Sequence, residues 1–363
     1  MIINNAFMNS LSPAELEFVK SYVLSLVKDT VTSETSNSDN LVHTVSSCPY
    51  CHSARFIKWG FNNHRQRYQC SACGRFFSPT TNTMFSHSSI NYETWSSFIE
   101  CELMEMTLAD EANLIHKSKT TCFHMRHKLY QAVGRVQDQI LTGNIEIDST
   151  YTKINLKGTK PRNMPRRSKK RGKHKQRPKD DKDGWPAKHK VCIATAMDQN
   201  DVILFRIIGL GVENLDKYRT LKNRFKPGST LICDNNAALH NFAKEAYLKT
   251  DSLIRTLEGV LFTTPTGSSL AEINELHSEF KELNRKKHGI STRHLQGYLD
   301  WFVFRKSLRY SVESSRRKSE AYLDAMTGKV CLTNRSIYKK AMPISLWDAY
   351  GEWHYGIFEN STN

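Results

Sequence analysis

The sequence predicts an α/β protein: a mixed-sheet core with two small modules before it, one stapled by metal and one helical. Three observations predict this. Four cysteines pair as Cys48-Pro-Tyr-Cys51 and Cys70-Ser-Ala-Cys73. Residues 92–141 read as helices. Residues 144–310 alternate strand and helix patterns, and two of the strand patterns lead into an aspartate, Asp148 and Asp234.

Composition narrows the function classes. The 363 residues carry 52 Lys or Arg against 36 Asp or Glu, a formal charge of +16. That balance favours a polyanion, with nucleic acid ahead of anionic lipid because no amphipathic anchor is present. Apolar residues, at 39%, suffice for a buried core and exclude a wholly disordered chain. No apolar run approaches the roughly 18 residues of a membrane span. The first residues lack the basic stretch of a secretory signal. Nine cysteines, an odd number in a chain this long, fit a reducing cytosol better than a disulfide framework.

Residues 1–40 hold five acids and two bases, so the basic excess lies elsewhere. Ser12-Pro13-Ala14-Glu15 has the form of a capped helix start, followed by Leu16, Val19, Val23 and Val27 at helical spacing. Residues 30–40, rich in Ser, Thr, Asn and Asp, read as a linker.

In the cysteine quartet, 18 residues separate the two pairs, the spacing of paired zinc knuckles. Two residues between thiolates let one turn present both sulfurs to an ion. Two such turns close a tetrahedron with no open position, which makes Cys48, Cys51, Cys70 and Cys73 a structural Zn²⁺ site. His52 and His64 compete as ligands, but four thiolates make them unnecessary. Phe56, Ile57, Trp59 and Gly60, then Arg67-Tyr68-Gln69, suit short hairpin strands. Arg55, Lys58, Arg65, Arg67 and Arg75 make DNA contact plausible, although such ribbons also bind protein.

Between Tyr92 and Leu141, Thr107 to Leu114 predicts one helix, His116–Lys119 a turn, and Thr120 or Thr121 the start of a second. A helix-turn-helix sets its second helix in the major groove. On that reading Thr121, His124, Arg126 and Lys128 face DNA. The bland alternative is a helical linker with a solvated polar face.

In the core, Asn144 to Tyr151 alternates apolar and polar residues and predicts a strand delivering Asp148 to a rim. Lys190–Met197 and Val202–Ile208 are two more strands, joined by a turn at Asp198-Gln-Asn-Asp201, giving an antiparallel meander. Ser229 to Asp234 is a further strand ending in an acid, and Ala237 to Leu248 a helix. Between the first two strands, residues 157–190 hold 15 Lys or Arg, two His and three Asp. Their Pro and Gly content predicts an exposed basic insertion, in which Arg166, Arg167, Lys169, Lys170 and Arg171 contact DNA backbone. Two aspartates at strand ends suit a two-metal phosphoryl-transfer site, where paired Mg²⁺ or Mn²⁺ ions take hard oxygen ligands. A single strand-end Asp is more often a turn or helix cap.

This order of parts, over residues 45–310, resembles the bacterial insertion-sequence transposases of the Merlin-related family. The most specific stretches are Ile273-Asn-Glu-Leu-His-Ser-Glu-Phe-Lys281 and His294-Leu-Gln-Gly-Tyr-Leu-Asp-Trp-Phe-Val-Phe-Arg305. The resemblance implies an RNase H-like mixed sheet with helices on both faces, and a DDE or DDNK active site. Carried over by position, Asp148 and Asp234 are the two acids, Asn274 holds the third place and Lys281 the fourth. Asn274 offers a carbonyl oxygen without charge, where the commoner pattern has Glu. Glu275 or Glu279 is the alternative third ligand. His277 lies on nearly the same helical face as Asn274, as an assistant or as a structural residue.

The implied function is a transposase that cuts element ends and joins the freed 3′-hydroxyls to target DNA. Its partners are double-stranded DNA, both terminal repeats and target, and further copies of itself, without a membrane, in the cytoplasm at the nucleoid. A DNA-binding regulator whose core no longer cuts, and a metal-dependent nuclease without joining, are the alternatives. The chain divides accordingly into an N-terminal helix and linker (1–40), a zinc ribbon (41–80), a helix-turn-helix-like segment (88–142), a catalytic core (143–312) and a C-terminal extension (313–363).

Overall fold

The computed structural model describes residues 45–62, 65–86, 88–134, 139–158, 190–256, 259–260, 263–307 and 333–346. The N-terminal helix, the basic insertion with Arg166, Arg167, Lys169, Lys170 and Arg171, and most of the C-terminal extension lie outside the described residues. The chain forms two compact units, one from the first part of the chain together with residues 308–338, the other from residues 137–307 together with the chain after 338.

The first unit opens with the ribbon. Strands β1 (Phe56–Asn62), β2 (Arg65–Cys70) and β3 (Phe76–Phe77) form an antiparallel sheet in that order. A bulge between Lys58 and Phe61 shifts the β1–β2 register. Gly60 takes φ +67 there, a value open to glycine without strain. So small a sheet has little apolar interior: Phe56, Tyr68 and Phe77 pack edge-on or stacked at 5.4–5.6 Å beside Cys48 and Cys70. A metal held by the four cysteines would supply the rest of its cohesion.

Three helices follow: α1 (Tyr92–Leu103), α2 (Leu108–Leu114) and α3 (Lys119–Gly134). Asn91, Thr107 and Ser118 accept backbone N–H bonds from Thr94, Asp110 and Thr121, so each start is written in a short polar side chain. The helix–turn–helix order matches the sequence pattern. Its predicted reading face does not. Arg126 is 2% exposed and pairs with Glu102 and Glu111, both fully buried. Tyr130 Oη donates to Glu102 at 2.7 Å, and Lys128 Nζ donates to the Ser86 carbonyl at 2.7 Å. Arg126 and Lys128 are therefore interior cations, not groove-reading residues. A basic residue looks the same in sequence whether its partner is phosphate or two buried carboxylates. Residues 333–338 join this unit, where the short helix Asn334–Tyr338 buries Ile337 and stacks Tyr338 on Phe123 at 5.8 Å.

The second unit is built on a five-stranded sheet. Its strands are β4 (Asn144–Lys153), β5 (Lys190–Asp198), β6 (Ile203–Leu210), β7 (Thr230–Cys233) and β8 (Lys249–Ser252), in spatial order β6-β5-β4-β7-β8. The first three form the expected antiparallel meander; β7 and β8 add in parallel. This is the RNase H-like mixed sheet. On one face Ile145, Ile147, Leu231 and Cys233 pack with Tyr218 of α4 (Leu215–Arg219) and with Leu239 and Phe242 of α5 (Ala237–Glu245). On the other, Phe205 meets Phe280 of α6 (Ala271–Lys286) and Phe302 of α7 (Leu295–Ser307) at 6.1 and 5.2 Å. Helices thus cover both faces.

Two boundaries differ from the sequence pattern. Helix α5 ends at Glu245 rather than Leu248, because Tyr247 turns into the left-handed region at φ +57 and the chain enters β8. β8 itself, Lys-Thr-Asp-Ser, has no apolar alternation to announce it. Strand β4 runs on to Lys153, so Asp148 sits within the strand and not at its end. Among the described residues no helix is long and apolar enough to cross a membrane.

Candidate active site

Alternation along β4 divides its side chains. Ile145 and Ile147 enter the α4–α5 core, which turns Glu146 and Asp148 toward the α6 face. The parallel pairing Asn144–Thr230, Ile145–Leu231 and Glu146–Ile232 sets an offset that brings Asp234, just past β7, level with Asp148. β7 stops at Cys233, so Asp234 leaves the sheet beside Asp148, which is in mid-strand. The two acids therefore stand together where adjacent parallel strands part, the place at which open α/β sheets bind ligands.

Asp148 is held by local bonds. Its Oδ1 accepts the Ser149 N–H at 2.7 Å, and its carbonyl accepts from Thr195 Oγ1 on β5 at 2.9 Å. Burial pushes its carboxyl up to about 7, and the negative charges of Asp234 and Glu213 push the same way, against the Ser149 N–H and the Lys281 ammonium. Helix α6 supplies Lys281 and His277. His277 Nε2 lies 2.6 Å from Thr195 Oγ1, and its Nδ1 3.8 Å from Asp148 Oδ2. Desolvation first, and then Lys281, lower the imidazole to about 4, so it is neutral near pH 7. Asn274 lies one turn before His277 on the exposed side of α6.

Two further acids belong to this neighbourhood, and sequence reasoning missed both. Glu146 Oε2 accepts the Ile273 N–H at 3.3 Å, capping the first turn of α6, and burial raises its carboxyl. Its position two residues before Asp148 was the available signal. Glu213 follows β6: Tyr218 Oη donates to it at 2.9 Å, Asn236 Nδ2 donates to its other oxygen, and Ser149 Oγ lies 2.8 Å from Tyr218 Oη. Glu213 thereby links the residue after Asp148 to the residue two past Asp234. Nothing in its local sequence pattern marks it, because the link depends on where β6 ends. Of the alternative third ligands, Glu279 pairs with Lys306 of α7, and Glu275 is exposed. Among the described residues no third carboxylate joins Asp148 and Asp234 in a metal-ligand cluster. The arrangement brings the Asp148 and Asp234 carboxylates together with the Lys281 ammonium. Two carboxylates suit a hard divalent ion, whose charge would offset the burial and the repulsion that raise Asp148.

The stretch His294 to Arg305 does structural work. Gln296 accepts the Ile207 N–H at 3.0 Å and donates to the Phe205 carbonyl at 3.0 Å, so its amide completes the edge of β6. Asp300 accepts from Gln296 at 2.9 Å and pairs with Arg206 at 3.1 Å. Trp301 and Phe304 are buried.

The four cysteine sulfurs lie within 4.8 Å of one another, with Cys48–Cys73 at 3.8 Å and Cys51–Cys70 at 3.5 Å. Thiolates about 2.3 Å from a tetrahedral ion stand roughly 3.8 Å apart, so the quartet can hold Zn²⁺. The Cys73 and then the Ala72 N–H draw the Cys70 thiol down to about 6. For Cys51 the Ser53 N–H favours the thiolate, but desolvation and the other three thiols outweigh it and push the group to about 12. Four thiols this close do not all ionise without a cation. His52, the nearest competing ligand in sequence, stands outside this set.

The family model of the ISXO2-like transposase domain matches residues 140–307, the whole of the sheet with α6 and α7. A 126-residue stretch, 34% of the chain, is 30% identical to an uncharacterized protein in transposable element ISH50 of Halobacterium salinarum. The match spans 41% of that relative's length. Over residues 140–307 the chain is thus similar to the ISXO2-like transposase domain of insertion-sequence transposases.

Proposed function

We propose that the chain is a DNA transposase that cuts the ends of an insertion element and joins them to target DNA by two-metal phosphoryl transfer. The observation that carries this reading is the level placement of Asp148 on β4 and Asp234 just past the parallel β7, with Lys281 and His277 of α6 beside Asp148. Asp148 and Asp234, with the Asn274 carbonyl, would hold two Mg²⁺ or Mn²⁺ ions. Bound, such ions polarise the attacking and leaving oxygens of an in-line displacement. In the first step water attacks the scissile phosphorus and the 3′-oxygen leaves as a hydroxyl. In the second, that 3′-hydroxyl attacks a target phosphorus, forming one P–O bond as another breaks. Lys281 sits to hold a non-bridging phosphate oxygen, and His277 to fix Asp148 through Thr195.

End recognition falls to the ribbon and helical segment in this reading. On α3 the exposed Lys119 and Thr120, with the half-buried Thr121 and His124, replace Arg126 and Lys128 as the contacts. The basic residues 166–171 add phosphate contacts, which makes binding steeply salt-dependent. Pairing two ends requires at least two copies on DNA, and the setting is the nucleoid.

The test is a strand-transfer assay with duplex from the element's own ends, supercoiled target plasmid and Mg²⁺ or Mn²⁺. Metal-dependent joined product is expected from the wild type and none from Asp148→Ala or Asp234→Ala, with end binding retained in both. Joining by either variant at the wild-type rate overturns the site. Binding without any cutting by the wild type overturns the activity.

A further inference from the structure

The ribbon's register sorts its side chains onto two faces. Phe56, Tyr68 and Phe77 turn to the cysteine cluster. Ile57 stands opposite Gln69, and Gln69 opposite Phe76, on the other face. Trp59, two residues beyond Ile57, joins them with its ring 5.7 Å from Phe76. Ile57, Trp59 and Phe76 are 52%, 51% and 40% exposed. Within its sheet β1 pairs only with β2, so the face runs out to a sheet edge. The Arg67 guanidinium lies 4.9 Å over the Phe76 ring, and the Arg75 guanidinium 5.1 Å over Tyr50.

Charge says what covers this face. Residues 40–92 hold five Lys or Arg, at positions 55, 58, 65, 67 and 75, and no Asp or Glu. A Zn²⁺ ion with four thiolates is formally −2, which leaves the ribbon at 5 − 2 = +3. Apolar rings edged by guanidinium groups, with no carboxylate, match a partner that alternates flat apolar surface with anions. Duplex DNA is a poor fit, because its base faces are stacked away and its grooves are read by hydrogen-bonding groups. Ile57 and Phe76 have none in their side chains. A single strand exposes both base faces and phosphates: bases stack on aromatic rings while cations hold the backbone. We propose that the face formed by Ile57, Trp59 and Phe76 binds unpaired bases of single-stranded DNA, with Arg67 and Arg75 beside the flanking phosphates. This stands apart from the core chemistry and requires no cleavage.

The experiment uses the full-length protein, a 20-nucleotide thymidylate strand and a 20-base-pair duplex, with affinity read by fluorescence anisotropy and bound zinc measured in every sample. Trp59→Ala and Phe76→Ala are each expected to weaken single-strand binding about tenfold or more, and duplex binding by no more than about twofold. Unchanged single-strand affinity overturns the proposal, as does an equal loss on both DNAs with zinc retained. A change from dimer to monomer in Trp59→Ala, with single-strand affinity intact, also overturns it and assigns the face to a second copy. Should either variant lose zinc, the wild type is photocrosslinked to a single strand carrying 5-bromodeoxyuridine. Crosslinks at Trp59 or Phe76 are expected, and crosslinks confined to other parts of the chain overturn the proposal.

Discussion

The imidazole of His277 bridges from Thr195 to Asp148, with Nε2 at 2.6 Å from Thr195 Oγ1 and Nδ1 at 3.8 Å from Asp148 Oδ2. Thr195 gives its own proton to the Asp148 carbonyl. Nε2 therefore carries the imidazole proton, and the lone pair of Nδ1 faces the carboxyl. A neutral ring in this tautomer fixes the Thr195 hydroxyl, which in turn holds the Asp148 carbonyl, without adding positive charge. Lys281 is then the cation on α6 that lowers Asp148, against the two acids that raise it.

That balance predicts a pH dependence. Asp148 rises from 3.8 to about 7 on folding, so its contribution to the metal-free protein is fully present below about pH 4 and is lost as pH climbs through 7. Asp148→Asn should flatten this fall and melt above the wild type at pH 8 in the presence of chelator. Mg²⁺ should raise the wild-type melting temperature more at pH 8 than at pH 6, because only the ionised carboxylate binds it. A variant less stable than the wild type at pH 8 contradicts the sign.

Glu213 gives a second prediction. Its charge raises Asp148, and its two oxygens hold Tyr218 and Asn236. Glu213→Gln keeps much of the bonding and removes the charge, so the pH midpoint of metal-dependent cleavage should move to lower pH. Tyr218→Phe leaves the charge, and breaks the link to Ser149 at a cost of about 1–3 kcal/mol, read by urea unfolding. A Glu213→Gln profile that moves to higher pH is the outcome that refutes this electrostatic role.

Arg126 separates fold from recognition. Removing it leaves Glu102 and Glu111 buried without their cation, which costs about 3–5 kcal/mol. Arg126→Ala should lower unfolding free energy by that order, and any loss of DNA binding should track loss of folded protein. Lys119→Ala, on the exposed first turn, should keep stability within about 0.5 kcal/mol and weaken duplex binding. Wild-type stability in Arg126→Ala with selective loss of DNA binding would return Arg126 to the reading face.

Zinc removal is the fourth test. Metal binding in so small a module is folding free energy. Chelation should release one Zn²⁺ per chain and raise hydrogen exchange in β1 to β3, while β4, β5 and β7 stay protected. Uniform exchange throughout the chain would tie the core to the zinc and contradict this independence.

Much of the architecture was legible because it is local. The Cys-x-x-Cys pairs, the caps at Thr107 and Ser118, and the alternation of Ile145 and Ile147 around Glu146 each act within a few residues. Where pattern failed, a distant partner decided. Arg126 and Lys128 were assigned to DNA on their charge, but Glu102, Glu111 and the Ser86 carbonyl claim them. Glu279 was a candidate ligand until Lys306 met it. β8 has no amphipathic period, and is a strand because β7 offers it an edge.

By itself the sequence determined the order of modules, the cysteine quartet, the strand–helix alternation and the chemistry available at Asp148, Asp234, Asn274 and Lys281. Covalent order and side-chain type are enough for these, since hydrophobic period and ligand spacing are properties of the chain. Only the tertiary structure decided that Asp234 stands level with Asp148, that Glu213 and His277 border them, and which cations turn inward. Those relations arise from strand register and from the requirement that buried charge find a partner, and both couple residues tens of positions apart.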